Sequence, residues 1–299
     1  MRRAPHMALV AFPAALLTAC SGAADSGADA KEPSGKPAVT AEESREVLKD
    51  WTERHNRAIT SGDVRLWRDT VTGALEAPVT ARVRTYGKLP KSARISLSNP
   101  VFYVPRQDDH PKWFGVAALE RSGGDDQQVL GVFVRKNAET GWHAAHWLTF
   151  QGRPPQLAYD RQGYAIPAPD RDLPTAHANY LKTGDRGALT PDTHTSNARA
   201  EDQGDWTVTH GAITPGPGPS YALRTEDGGS LVWYALKQEK TLTGGTPATL
   251  PTELRDHLKK NGDKPETLRT TWQWLAIGYA PPTGKARILG ESVSLTKAS

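Results

Sequence analysis

The sequence predicts an α+β protein built as two tandem halves, each opening with helices and continuing into mostly antiparallel strands. Three observations carry this. The hydrophobic period changes from helical to strand-like twice along the 299 residues. A nine-residue segment, His55–Asp63, has a counterpart in His177–Asp185, matching His with His, aliphatic with aliphatic, hydroxyl with hydroxyl and Gly-Asp with Gly-Asp. Between the halves lies a proline-rich stretch with little periodicity, bearing Pro154, Pro155, Pro167, Pro169 and Pro174.

Residues 1–19 read as a leader. Arg2 and Arg3 precede an apolar run, Met7 to Leu17, and then Leu17-Thr18-Ala19-Cys20. A positive n-region, a short h-region and small residues before a cut are the parts of a signal peptide. The run is too short for a bilayer span, which needs about 20 apolar residues, and Pro13 interrupts it. From Ser21 to about Val39 the chain is rich in Ser, Gly, Ala, Asp, Lys and Pro, the composition of a disordered tether.

Thr40-Ala41-Glu42-Glu43 is a capping-box pattern. Val47, Leu48, Trp51, His55, Ala58 and Ile59 follow at helical spacing, so a helix is expected from about Ala41 to Thr60, ended by Ser61-Gly62. Asp63 can cap a second helix through Leu66, Trp67 and Val71, and a weaker one can run from Leu75 to Arg84. Strands are expected at Ala93–Val104, Trp113–Arg121, Gln128–Lys136 and Gly141–Phe150, where aromatic and β-branched residues alternate between turn signals. The first domain is thus 40–150, and 151–174 is the connection. In the second domain, 175–299, a helix at Thr175–Lys182 precedes strands at Trp206–Thr214, Tyr221–Thr225 and Ser230–Thr243. A short helix, Pro251–Lys260, lies in an insertion, Gly244–Pro265, expected to split the sheet. Leu268–Tyr279 and Ala286–Leu295 complete it.

Composition narrows the function classes. Lys and Arg number 37 against 33 Asp and Glu. Loss of residues 1–19, with Arg2, Arg3 and no acid, leaves 35 against 33, a net charge of +2. With no basic block interleaved with aromatics, nucleic-acid binding is not expected. Cys20 is the one cysteine in the chain, so neither a disulfide framework nor a thiolate metal site is expected; nine Trp and eight Tyr supply much of the core.

Leu17-Thr18-Ala19-Cys20 resembles the lipobox of bacterial lipoproteins. That resemblance implies cleavage between Ala19 and Cys20, diacylglycerol on the Cys20 sulfur, and a lipid-anchored protein on the outer face of the cell membrane. The bilayer would then be a partner through acylated Cys20, since two or more acyl chains anchor a protein stably. A long helix ending in Ser61-Gly62-Asp63, a second helix and several long strands resemble the nuclear-transport-factor-2-like fold. The doubled plan behind a lipobox resembles actinobacterial lipoproteins with two such domains, a family of unknown function. The resemblance implies two tandem cone-like domains, each with N-terminal helices packed on a curved, mostly antiparallel sheet. In enzymes of that fold class an acid or base sits inside the cone.

Candidate site residues follow from that implication. His55 lies on the apolar face of the first helix and Asp63 follows its end, so they are candidates for a cavity pair, with His177 and Asp185 as counterparts. Helix capping accounts for Asp63 and Asp185 without any catalytic role. His143-Ala144-Ala145-His146 has metal-ligand residues but falls on an expected strand, where positions i and i+3 face opposite ways. Asp108-Asp109-His110 reads as a solvated turn. No metal or cofactor site is expected, and no phosphate loop, nucleophile elbow or zinc-protease helix occurs. The expected function is non-enzymatic binding of a small apolar or sugar ligand, or of a cell-envelope partner, with a groove between the halves as one place for it. A cyclase- or isomerase-like enzyme using His55 or His177 is the alternative from another class, and an envelope scaffold is the third.

Overall fold

Helix α1, Ala41–Ser61, begins where the sequence signals it: Thr40 is the N-cap and its Oγ1 accepts a hydrogen bond from the Glu43 amide at 3.1 Å. The computed structural model describes residues 35–150, 152–192, 195–196, 205–261 and 266–299. The leader, Cys20 and most of the expected tether lie outside the described residues. The tether's last residues belong to the body: the Ala38 amide donates to the Pro105 carbonyl, and Val39 is buried in the core.

Gly62 ends α1 in the left-handed region, φ 70°, at a spot where a Cβ would lie 2.6 Å from the Lys88 amide nitrogen. Helices α2, Val64–Arg68, and α3, Glu76–Tyr86, follow. Strands β1, Ser96–Tyr103, β2, Lys112–Ser122, β3, Asp125–Arg135, and β4, His143–Thr149, form an antiparallel sheet in the order 1-2-3-4. After the connection come α4, Leu173–Thr183, and a two-residue strand β5, Leu189–Thr190, which the sequence did not signal. Strands β6, Thr207–Pro215, β7, Tyr221–Arg224, β8, Ser230–Thr243, β9, Thr267–Ala280, and β10, Ala286–Ala298, complete the second sheet, ordered 5-10-9-8-6 with β7 also on β8. All its pairings are antiparallel except β5 with β10. Helix α5, Thr252–Asn261, sits between β8 and β9. It does not split the sheet. The β8–β9 register runs unbroken from Ser230 opposite Ala280 to Thr243 opposite Thr267, and the insertion is the far end of that hairpin.

The two sheets share one core. Trp51 of α1, Phe114 of β2 and Phe133 of β3 belong to the same apolar cluster as Leu231, Trp233, Leu275 and Ile277 of β8 and β9. On β8 and β9 successive side chains point opposite ways, and both faces are covered. Leu231, Trp233 and Ala235 face the first half, while Val232, Tyr234 and Leu236 face a second cluster with Leu173 and Leu181 of α4. The layers are therefore α1, first sheet, second sheet and α4. The seam where a groove was expected is filled: Trp113 meets Tyr221 at 5.3 Å between ring centroids, and His146 meets the same ring at 5.7 Å.

The proline-rich connection is stitched into both sides. Ala165 pairs with Pro105, and Leu157 and Pro167 pair with Thr225 and Leu223. Arg106 Nε lies 2.6 Å from Asp160 Oδ2, with both side chains largely buried. Among the described residues no helix is long and apolar enough to cross a membrane.

Candidate functional site

A cavity of about 340 Å³ opens between the helices and sheet of the first half. Helix α1 contributes Trp51, His55 and Ile59, which share one face because they are four residues apart. Trp67 comes from α2, Val79, Arg82, Val83 and Tyr86 from α3, Glu120 and Ser122 from β2, and Trp147 from β4. The tryptophans form its base. Trp51 and Trp147 lie 4.4 Å apart at 40°, and His55 packs 4.9 Å from Trp51 and edge-on to Trp67 at 4.8 Å. Trp51 is fixed from behind, its Nε1 donating to the Thr70 carbonyl at 3.0 Å.

The lining is mostly apolar and carries one cationic side chain, Arg82. Burial, and secondarily the Arg82 charge, lower the His55 pKa to about 4, so the imidazole is neutral at physiological pH. Its Nδ1 is sealed from solvent without a hydrogen-bond partner among the described residues. Burial pushes the Glu120 carboxyl up, against a 2.6 Å hydrogen bond from Trp147 Nε1. Sequence reasoning missed Glu120. A lone Glu on an alternating strand reads as solvent-facing, and no local signal announces an indole partner 27 positions away.

The cavity contains one of the four predicted site residues. Asp63 is not His55's partner: it caps α2, accepts from the Arg65 amide at 2.8 Å and pairs with the Arg65 guanidinium at 3.1 Å. Those bonds hold its carboxyl below the usual range. Asp185 is exposed and accepts from the Gly187 amide at 2.8 Å. His177 is fully buried, with Nδ1 2.9 Å from the Tyr234 hydroxyl and Nε2 3.7 Å from Glu291 Oε2. Thr195 Oγ1 donates to the other Glu291 oxygen at 2.9 Å. Burial lowers His177 to about 4, while burial and the Asp192 charge raise Glu291 to about 8, so both are neutral near pH 7. This second cluster is enclosed by Trp274 and Tyr234.

The remaining candidates divide. An irregularity between Val132 and Phe133 leaves Ala145 as an extra residue in β4, with His143 and His146 opposite Val134 and Val132 in the ladder. Their surroundings differ, His143 lying beside Arg54 and Asp69 and His146 against the Tyr221 ring. His146 is buried and its pKa is lowered by burial to about 3, while His143 Nδ1 is 3.0 Å from the Gly141 carbonyl. Among the described residues no three His, Cys, Asp or Glu side chains converge as metal ligands. Asp108 accepts a hydrogen bond from the Lys36 amide at 3.0 Å and so fastens the start of the body.

Comparison with known proteins gives relatives of the same description. A Streptomyces coelicolor protein, "Uncharacterized lipoprotein SCO2278", is 27% identical over 288 residues, covering 87% of this chain and 85% of its own. A second from that organism, "Uncharacterized lipoprotein SCO6871", is 26% identical over 262 residues, covering 75% and 73%. No solved structure matches the chain. The model of a domain of unknown function, DUF8094, matches residues 35–299, the extent over which both halves and their connection share one body, and the chain belongs to that family.

Proposed function

We propose that the protein is a lipoprotein held at the outer face of the cell membrane by acylated Cys20, and that it binds a small apolar, ring-bearing ligand in the first-half cavity without catalysing a reaction. Two relatives described as lipoproteins support the anchor, together with the lipobox sequence. The observation that carries the binding reading is the cavity of about 340 Å³ floored by three tryptophans. It falls within the range of ligand sites, about 300–1,000 Å³, and is roughly twice the ~150 Å³ that accommodates benzene in an engineered core. Helices over a four-stranded antiparallel sheet around that space support reading the first half as a cone. The second half is read as a cone closed by its own side chains, Trp274, Tyr234 and His177 among them.

His55 supports binding over catalysis. A general base works best with a pKa near the operating pH, and an imidazole lowered to about 4 is a weak proton acceptor. The test is native mass spectrometry of residues 21–299 purified from the producing organism. A reproducible extra mass that disappears on denaturation, and is lost on Val79→Phe, is the expected result; a clean apo mass counts against the reading. For the anchor, Cys20→Ala should move the protein from the membrane to the soluble fraction.

A further inference from the structure

We infer that the ligand of the first-half cavity is a flat, ring-bearing monoanion, its rings against Trp51, Trp67 and Trp147 and its negative group against Arg82 at the rim. This rests on the cavity reading above and names the chemistry that the site would select.

The body of the ligand is set by the walls. Planar indole faces favour offset or edge-on ring contacts over a flexible chain, and the volume accommodates about two fused or linked rings on the benzene scale used above. The charge is set by what the lining leaves unmatched. His55 is neutral, so the deep end offers no cation. Glu120 is already hydrogen-bonded by Trp147, and burial disfavours its ionised form. A cationic ligand would therefore meet a poor counter-charge inside, after passing Arg82. Arg82 is exposed at the rim and makes no hydrogen bond or ion pair among the described residues. Glu253 of α5 approaches the same rim closely enough to feel the Arg82 charge, but burial raises its pKa too, which weakens it as a counter-ion. Arg82 is the one cationic side chain in the lining, and Glu253 and Asp256 of α5 lie beside Tyr86 at the same rim. A planar anionic group can take two of the guanidinium N–H donors at once.

Two probes with the same ring system and different charge separate this inference from the cavity reading. They are 8-anilinonaphthalene-1-sulfonate and uncharged N-phenyl-1-naphthylamine, titrated into the mature chain carrying Cys20→Ala and followed by energy transfer from tryptophan. Both should bind at one site and both should be weakened by Val79→Phe, which narrows the cavity. The sulfonate should bind about tenfold more tightly, equivalent to about 1.4 kcal/mol. Arg82→Gln, at an exposed position, should remove that preference and leave the neutral probe unchanged. A neutral probe that binds as tightly as the anion, or a preference that survives Arg82→Gln, overturns the inference and leaves the cavity reading standing. Anion binding indifferent to Val79→Phe places the probe outside the cavity and also overturns it. If neither probe binds, both readings fall.

Discussion

Trp51 and Trp233 are buried to the same degree, 1% and 0% exposed, yet the same substitution at each should have different effects. Trp→Phe removes on the order of 50 Å² of buried surface, about 1.3 kcal/mol at 25 cal/mol per Å², and the space left adds roughly 1 kcal/mol. At Trp51 the change also deletes the hydrogen bond to the Thr70 carbonyl, worth about 1 kcal/mol. That carbonyl stays satisfied by the Ala144 amide at 3.0 Å, so no further penalty follows. Trp51→Phe should cost about 3 kcal/mol. At Trp233 the indole Nε1 has no hydrogen-bond partner among the described residues, so the folded protein already carries a buried donor costing about 1–3 kcal/mol. Phenylalanine removes that donor, which offsets most of the lost packing, and Trp233→Phe should lie within about 1 kcal/mol of the parent. Urea unfolding with both variants at unchanged m-value reads the difference directly. Equal losses at the two positions would refute the reasoning, because Trp233 would then have a hydrogen bond to lose.

Acid should unfold the protein through its buried histidines. His55, His146 and His177 have folded pKa values lowered to about 4, 3 and 4, so the unfolded chain binds more protons and stability falls as pH drops through about 6.5 towards 4. His146→Phe should flatten that slope by close to one proton, about 1.4 kcal/mol per pH unit, in unfolding curves taken at pH 6.5 and 4.5. Glu291 acts with the opposite sign: its pKa is raised to about 8, so its contribution is lost as pH rises from about 4.5 to 8, and Glu291→Gln should make stability less dependent on pH in that window. Gly62→Ala forces a Cβ into the left-handed region and against the Lys88 backbone, and should lower stability by at least about 2 kcal/mol in thermal melts. Asp160→Ala leaves the Arg106 guanidinium buried without its carboxylate, should cost about 3 kcal/mol, and should speed proteolysis within residues 153–170.

The elements were legible and their partnership was not. Thr40, Gly62 and Asp63 declare α1 and the start of α2 through capping chemistry alone, and the edges of β8 are those the pattern predicts. Two-sided burial of β8 and β9 was present as continuous apolar runs, Leu231–Leu236 and Trp274–Ile277. Read as strands of a separate domain, those runs gave no hint that one face would close the core of the other half. β5 is too short to show any period. The cavity was half visible: helical spacing placed Trp51 and His55 on one face, but Glu120 and Arg82 arrive from elements whose packing only the fold determines. The pairing of His55 with Asp63 failed for a simple reason, that a residue committed to capping a new helix cannot also turn back into the old one.

Trp233 and its neighbours on β8 and β9 have a temporal meaning as well. Trp113 and Val132, on the face of the first sheet turned towards the second, emerge from the ribosome about a hundred residues before Tyr221 and Trp233. Until those strands are made, the outer face of the first sheet is an uncovered apolar surface, and contacts of such long sequence separation form slowly. A nascent chain paused after the connection would hold every element of the first half and lack the layer that seals it. Such a fragment is a species that binds chaperones or aggregates, rather than a domain waiting for its twin.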